Sequence, residues 1–303
     1  MYDGDDNVTV SRRTLLRASA GTAAFSTIGV GSAGASGSDA AGTPWFDDRC
    51  PDATLEPNMG HCVEDGMEGC ADDHPTTVEL RSEVQAVLEE HYPDVGALVD
   101  AGYQPYFDAL EREDASYSHW INPEYVGDDA VLDPERPESV LVDDESWRSI
   151  GVMFVATRNG EEIDPPAVYG GEASDAEPAD DAPIGATADP ETPCSPWHYH
   201  SGLPGRFAWW YYKQAYEHDF ADGDIDLPCR TPCMLHVWAI DHPESVYAHD
   251  APPAEFREQE PAAEAGFETD AEPGADELGW DVLPDDLQPE QRPEDLAALV
   301  PGL

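Results

Sequence analysis

The sequence predicts an α+β domain: N-terminal helices packed on a mostly antiparallel sheet. Three observations carry this. Helical spacing of apolar residues comes first, over residues 76–101, and strand-like runs follow it. One run, Ile150 to Thr157, is apolar almost throughout and so belongs in the middle of a sheet. Helices gathered before strands do not make the βαβ succession that a parallel sheet needs.

The elements follow in order. Thr76 or Thr77 caps a helix carrying Val78, Val84, Val87 and Leu88; His91 lies near its end and Pro93 stops it. A shorter helix, Asp94 to Ala101, ends at Gly102, a residue free to turn left-handed. Tyr103 to Phe107 and His119 to Val126 come next, then a turn-like stretch from Val131 to Pro137. Ser139 to Val142 and Ile150 to Thr157 read as strands. Residues 171–193 hold Gly, Glu, Ala, Asp and Pro without any period, which marks a solvated acidic insertion. Trp197 to His200 is a strand, and Arg206 to Phe220 is a helix burying the aromatic face of Phe207, Trp209, Trp210, Tyr211, Tyr212 and Tyr216. Leu235 to Ile240 is the last strand. A single domain thus spans residues 76–250, preceded by an irregular Cys- and His-containing linker (36–75). It is followed by an acidic, Pro-rich tail (251–303), and both termini read as disordered.

The charge balance is extreme, with 65 acidic residues against 14 basic ones, a formal net charge of −51, and Lys213 as the only lysine. Eight Trp, twelve Tyr and eight Phe are enough for a core, so disorder does not explain the acids. Self-repulsion on this scale opposes compaction in dilute buffer, whereas molar salt shortens the Debye length to roughly 3 Å. The pattern resembles that of proteins from halophilic archaea. It disfavours phosphate-rich nucleic acid and anionic membrane as partners.

The amino terminus agrees. Ser11-Arg12-Arg13-Thr14-Leu15-Leu16-Arg17 resembles a twin-arginine export signal, with a small-residue run to Val30 and an A-x-A site at Ala33-Gly34-Ala35. Residues 1–35 are therefore read as a signal peptide, the mature chain as secreted or cell-surface, with no integral membrane span after cleavage. Outside the cell disulfides persist. Cys50, Cys62 and Cys70 cluster before the domain and Cys194, Cys229 and Cys233 cluster late, so local pairing leaves one over in each group. A bridge between the clusters, free thiols, or a second metal site from His61, Cys62, Cys70 and His74 are the open alternatives.

The chemistry concentrates in Trp197-His198-Tyr199-His200 and Met234-Leu235-His236-Val237-Trp238. Histidines at i and i+2 of a strand face the same side, and His236 on a neighbouring strand supplies a third imidazole. His119, or the His242/His249 pair, supplies a fourth. Converging imidazoles suit a transition metal ion (Zn, Cu or Fe), and Met234, on the face of His236, adds a thioether that favours copper. No Gly-rich phosphate loop, G-x-S-x-G elbow or H-E-x-x-H helix is present, and no glutamate follows His200 at the spacing of a cupin.

The blocks His119-x-Ile121-Asn122-Pro123, Asp133 to Ser139, Gly151-Val152-Met153-Phe154, Trp197-His198-x-His200 and Met234-x-His236-Val237-Trp238 together resemble a family of exported haloarchaeal proteins. Its members carry W-H-x-H and M-x-H-V-W motifs and a twin-arginine signal, with no assigned activity. The resemblance spans roughly residues 85–250 and implies one domain with the acidic stretch as an insertion. Some of its members have a cysteine soon after the paired histidines. Here that region reads Ser201-Gly202-Leu203-Pro204, so Cys194, Cys229 or Cys233 would have to take that place.

Two functions follow. The first is an exported, salt-adapted metal-binding protein, possible as a metalloenzyme, with His198, His200, His236 and His119 as ligands. The second is a non-catalytic surface module whose aromatic cleft, lined by Trp197, Trp209, Trp210 and Trp238, binds a small molecule or a surface partner.

Overall fold

A computed structural model describes residues 49–106, 116–170, 193–216 and 227–289. The expected signal peptide (1–35), nearly all of the expected acidic insertion (171–193) and the end of the tail lie outside these residues. Within them the chain is α+β, built on a seven-stranded antiparallel sheet.

The first helix, α1 (Pro75–Glu90), starts one residue before the expected threonines. His74 is its N-cap, with Nδ1 accepting from the Thr76 amide at 3.2 Å, and Pro75 fits the first turn because its missing N–H needs no partner there. Leu80, Val84 and Leu88, four residues apart, form the buried stripe, while Val78 points outward. Helix α2 (Val95–Asp100) is capped by Asp94, whose carboxylate accepts from the Ala97 amide at 3.1 Å, and Gly102 follows at φ +86°.

The strands are β1 (Met59–His61), β2 (Gln104–Tyr106), β3 (Tyr117–Ile121), β4 (Ser139–Asp143), β5 (Arg148–Val155), β6 (Thr157–Arg158), β7 (Glu161–Glu162), β8 (His198–His200) and β9 (Met234–Trp238). A short helix, α3 (Pro123–Val126), follows β3. The main sheet runs β1-β8-β9-β5-β4-β3-β2, and β6 and β7 form a separate ribbon. Strands β2 to β5 make a meander; β9 then pairs with β5, and β8 and β1 extend the sheet beyond it.

Both faces of the central strands are covered, which is why β5 reads as apolar without alternation. Trp120, Val140, Val152, Phe154, Leu235 and Val237 face α1 in one core cluster. Ile121, Leu141, Met153, Met234 and Trp238 face the other way, onto α4 (Leu203–Ala215) through Ala208, Trp209 and Tyr212. Each large side chain buried in this way contributes about 1.5–3 kcal/mol.

The flanking segments are more than linker and tail. Residues 49–75 supply β1, and all three disulfides join the early cysteine cluster to the late one: Cys50–Cys229, Cys62–Cys233 and Cys70–Cys194. Each closes a loop of over a hundred residues, worth about 4–5 kcal/mol in the chain-entropy picture. Residues 251–289 have little regular structure, as their composition implies, yet they pack. Helix α5 (Ala254–Arg257) starts the segment, and Ala262, Leu278, Trp280 and Leu283 are buried in the same core cluster as Leu80, Val84 and Leu88. The Ala262, Gly274 and Leu278 amides bond to the turn between β4 and β5. Trp147 anchors this segment, stacking on Phe267 and donating its indole N–H to the Asp276 carbonyl at 3.0 Å. Composition missed these contacts because the apolar residues are few and aperiodic, though each finds a site on a large existing core.

Candidate metal centre

Residues directly opposite each other in an antiparallel pair share a face, and the register places the histidines accordingly. His119 on β3 lies opposite Leu141, His236 on β9 opposite Met153, and His198 on β8 opposite Met234. All three partners belong to the face that α4 covers. His200 follows His198 on the same face, and His61 on β1 lies opposite His198. The sheet therefore gathers His61, His119, His198, His200 and His236 on one side.

A sixth imidazole comes from the loop after β9. His249 is brought in by two side-chain bonds from β9 itself. The Trp238 indole N–H donates to the Ala248 carbonyl at 2.8 Å, and His236 Nδ1 bonds the His249 carbonyl at 2.8 Å. The rest of the loop is held by the Val246 amide on Asp72, at 3.1 Å, and by the Tyr247 hydroxyl on Thr77, at 3.1 Å. His242 is part of this scaffold and no ligand: Nε2 bonds the Asp250 carbonyl at 3.1 Å, and Nδ1 accepts from the Glu244 amide at 3.0 Å.

The donor atoms of His198, His200 and His249 lie within 4.8 Å of one another, and among the described residues no other trio of His, Cys, Asp or Glu does so. Their rings are close, with centroids 4.7 Å apart for His198 and His249 and 5.2 Å for His200 and His249. Of the four histidines expected from sequence, His198 and His200 are thus in the triad. His236 and His119 form an adjoining pair, Nε2 to Nε2 at 3.4 Å. His236 remains near the triad, its ring centroid 5.2 Å from that of His198.

Protonation favours ligation. A ring nitrogen facing a carbonyl must donate, so His236 carries its proton on Nδ1 and presents a lone pair at Nε2. His249 Nδ1 faces the Asp250 carboxylate at 3.0 Å, which fixes the same tautomer. His198 Nε2 is buried with no hydrogen-bond partner. Burial, and then the neighbouring imidazoles His249, His200, His61 and His119, push the His198 pKa well below the usual histidine range. Burial, then His198, His119 and His249, does the same to His236 against the opposing bond to the His249 carbonyl. Both shifts favour the neutral ring, the form in which an imidazole binds a cation.

Aromatic rings wall the cluster. Tyr106 and Tyr117 approach His119 at 6.1 and 5.5 Å, and Trp238 approaches His236 at 5.7 Å. On its other side Gly205 of α4 lies so close to His200 that a Cβ there would sit 2.5 Å from the His200 Cβ.

Three expectations are corrected. No thiolate joins the site, because Cys194, Cys229 and Cys233 are all in disulfides. The proposed second site from His61, Cys62, Cys70 and His74 does not form: both cysteines are bridged, and His74 caps α1 while stacking on Tyr169 at 3.6 Å. The aromatic cleft has no exposed rings, since Trp197 and Trp238 are 0% exposed, Trp209 6% and Trp210 9%. In sequence His249 is only one half of the His242/His249 pair that stands as the alternative to His119. It sits in a loop without period, and nothing local separates it from His242.

Comparison with protein-family models, with curated proteins and with solved structures finds no match to this chain.

Proposed function

We propose that this chain is an extracytoplasmic protein that holds a transition-metal ion through His198, His200 and His249. The observation that carries the reading is the triad itself: three donor atoms within 4.8 Å of one another, with His198 buried and His200 and His249 half-buried. Burial leaves His198 Nε2 without a hydrogen-bond partner in the protein, and a metal ion would supply one. Three imidazoles with neither carboxylate nor thiolate suit Zn, Cu or another nitrogen-preferring ion over Mg or Ca. Met234, opposite His198 in register, favours copper among these. Three protein ligands leave a fourth position for water or a substrate, the arrangement of catalytic rather than closed structural sites.

Three disulfides support a location in an oxidising compartment. Among the described residues no helix is long and apolar enough to cross a membrane. The Arg12-Arg13 pair and the net charge of −51 support twin-arginine export into a saline medium, and that charge disfavours nucleic acid as a partner. Export of an already folded chain suits an ion inserted beforehand.

The test is elemental analysis of protein folded in molar KCl with copper, zinc or iron and then gel-filtered. Bound metal is expected to fall by one ion per chain in both His198→Ala and His249→Ala. Unchanged metal content in the two variants would sink the reading.

A further inference from the structure

The cluster holds more imidazoles than the triad uses. His119 and His236 face each other with Nε2 atoms 3.4 Å apart. Two nitrogens bound to one ion at about 2.0–2.1 Å, at a near-tetrahedral angle, lie about 3.3 Å apart. A hydrogen bond between the rings would instead be long against the usual 2.7–3.2 Å range for N–H donors. His236 brings only a lone pair to this contact, because its proton is committed to the His249 carbonyl, so without an ion only a long bond from His119 Nε2–H spans it. Neither ring belongs to the trio whose donors lie within 4.8 Å of one another.

We infer that His119 and His236 hold a second transition-metal ion beside the first, so that the cluster is a two-ion centre. This deepens the triad reading and rests on it. Two protein ligands leave the second ion with positions open to water or to a small oxygen or nitrogen donor, and Met153 lies across the strand pair from His236. His249 links the positions: its ring belongs to the triad, and its carbonyl orients the His236 ring at 2.8 Å. An ion that fixes His249 therefore also sets His236 for the second.

Titration of the full chain with copper(II) in molar KCl, read by elemental analysis and electron paramagnetic resonance, tests this. Wild type is expected to retain two ions per chain with a signal broadened or diminished by the neighbouring spin. His119→Ala, and His119→Gln as the variant closer in volume and polarity, are expected to retain one ion with the sharp signal of isolated copper. His198→Ala disrupts the triad and reports on the parent reading separately. One ion in wild type, lost in His198→Ala and unaffected by either His119 variant, would overturn the second position and leave the triad standing. One ion weakened by both the His119 and the His198 variants would overturn it too, since all these rings would then serve a single ion. No ion in wild type would overturn both readings.

Discussion

His236 Nδ1 donates to the backbone carbonyl of His249 at 2.8 Å. This bond joins a strand residue to a loop residue 13 positions later and settles two things together. It orients the His236 ring with Nε2 toward His119, and it holds the loop so that the His249 ring reaches His198 and His200. Trp238, two residues along the same face of β9, repeats the device one residue earlier in the loop, on the Ala248 carbonyl at 2.8 Å. The loop is thus docked by the strand that carries a histidine of the cluster.

Trp238→Phe keeps most of the ring and removes the indole N–H. The loop then loses one of its two side-chain tethers to β9, and His249 samples positions away from the triad. Supporting bonds of this kind are worth about 10–100-fold in metal affinity, and a loss of about tenfold is expected, measured by competition with a chromophoric chelator. Near-wild-type affinity in a folded variant would show that the loop is held in place without the indole bond, by His236, Asp72, Thr77 and the Trp238 amide.

Gly205→Ala tests the other wall. The added Cβ would lie 2.5 Å from His200 Cβ and 3.0 Å from its Cγ, atoms too near the backbone to swing away. Either α4 or β8 must shift, at a cost of about 1–3 kcal/mol in stability, and the His200 nitrogen leaves its place. Gly279→Ala is the control, because a Cβ there meets nothing within 4 Å. The expected result is weaker metal binding in the first variant and none of it in the second.

The histidine face was legible because β-strand geometry is local. The i, i+2 spacing of His198 and His200 fixes their common side whatever else the chain does. That His236 shares the side follows from its pairing near β8, which its apolar flanks Leu235 and Val237 also favour. His249 was not legible in the same way, since its position depends on tethers from Trp238, His236, Asp72 and Thr77, which come together only in the fold. The disulfides show the same limit. Counting left one cysteine over in each cluster, but only the pairing of β1 with β8 and the approach of Cys62 to Cys233 make all three bridges cross. The packing of residues 251–289 is illegible for a related reason: composition counts apolar residues and does not say that Trp147 waits for Phe267 and Asp276.

That segment is also held by charge. Arg257 pairs with Asp143 at 2.7 Å, and their side chains are only 11% and 6% exposed. Asp143 further accepts from the Ser146 amide at 2.9 Å and its hydroxyl at 2.6 Å, so the carboxylate is fully engaged. Arg257→Ala removes the counter-charge and leaves a buried carboxylate behind, which costs about 3–5 kcal/mol. Chemical denaturation is expected to show this loss, and Asp143→Asn in the Arg257→Ala background to restore part of it. A loss below 1 kcal/mol, the range of about 0–1 kcal/mol for surface pairs, would mean that the segment detaches freely.

Two buried carboxyls give the fold an unusual pH dependence. Burial pushes Glu138 up to about 8, against weaker lowering by hydrogen bonds, and burial likewise pushes Asp144 up to about 8. In the unfolded chain both ionise near the ordinary carboxylate range of about 4. Between those values the folded state keeps a proton that the unfolded state has lost, so the unfolded state binds fewer protons and stability falls as pH rises. The contribution of each protonated carboxyl is complete below about pH 4 and declines by about 1.4 kcal/mol per pH unit until about pH 8. This runs opposite to an ion-paired carboxylate, which loses stability in acid. Glu138→Gln separates the effect from every other titration in this acidic chain. The amide oxygen can still accept from the Val155 amide, which Glu138 Oε2 does at 3.2 Å, and the side chain no longer ionises. Denaturant midpoints at pH 5 and pH 8 in molar KCl are therefore expected to diverge less in the variant than in wild type. The variant should gain relative stability as the pH rises. Parallel profiles for the two proteins would place Glu138 ionised in the folded state, with a counter-charge or water at its carboxylate.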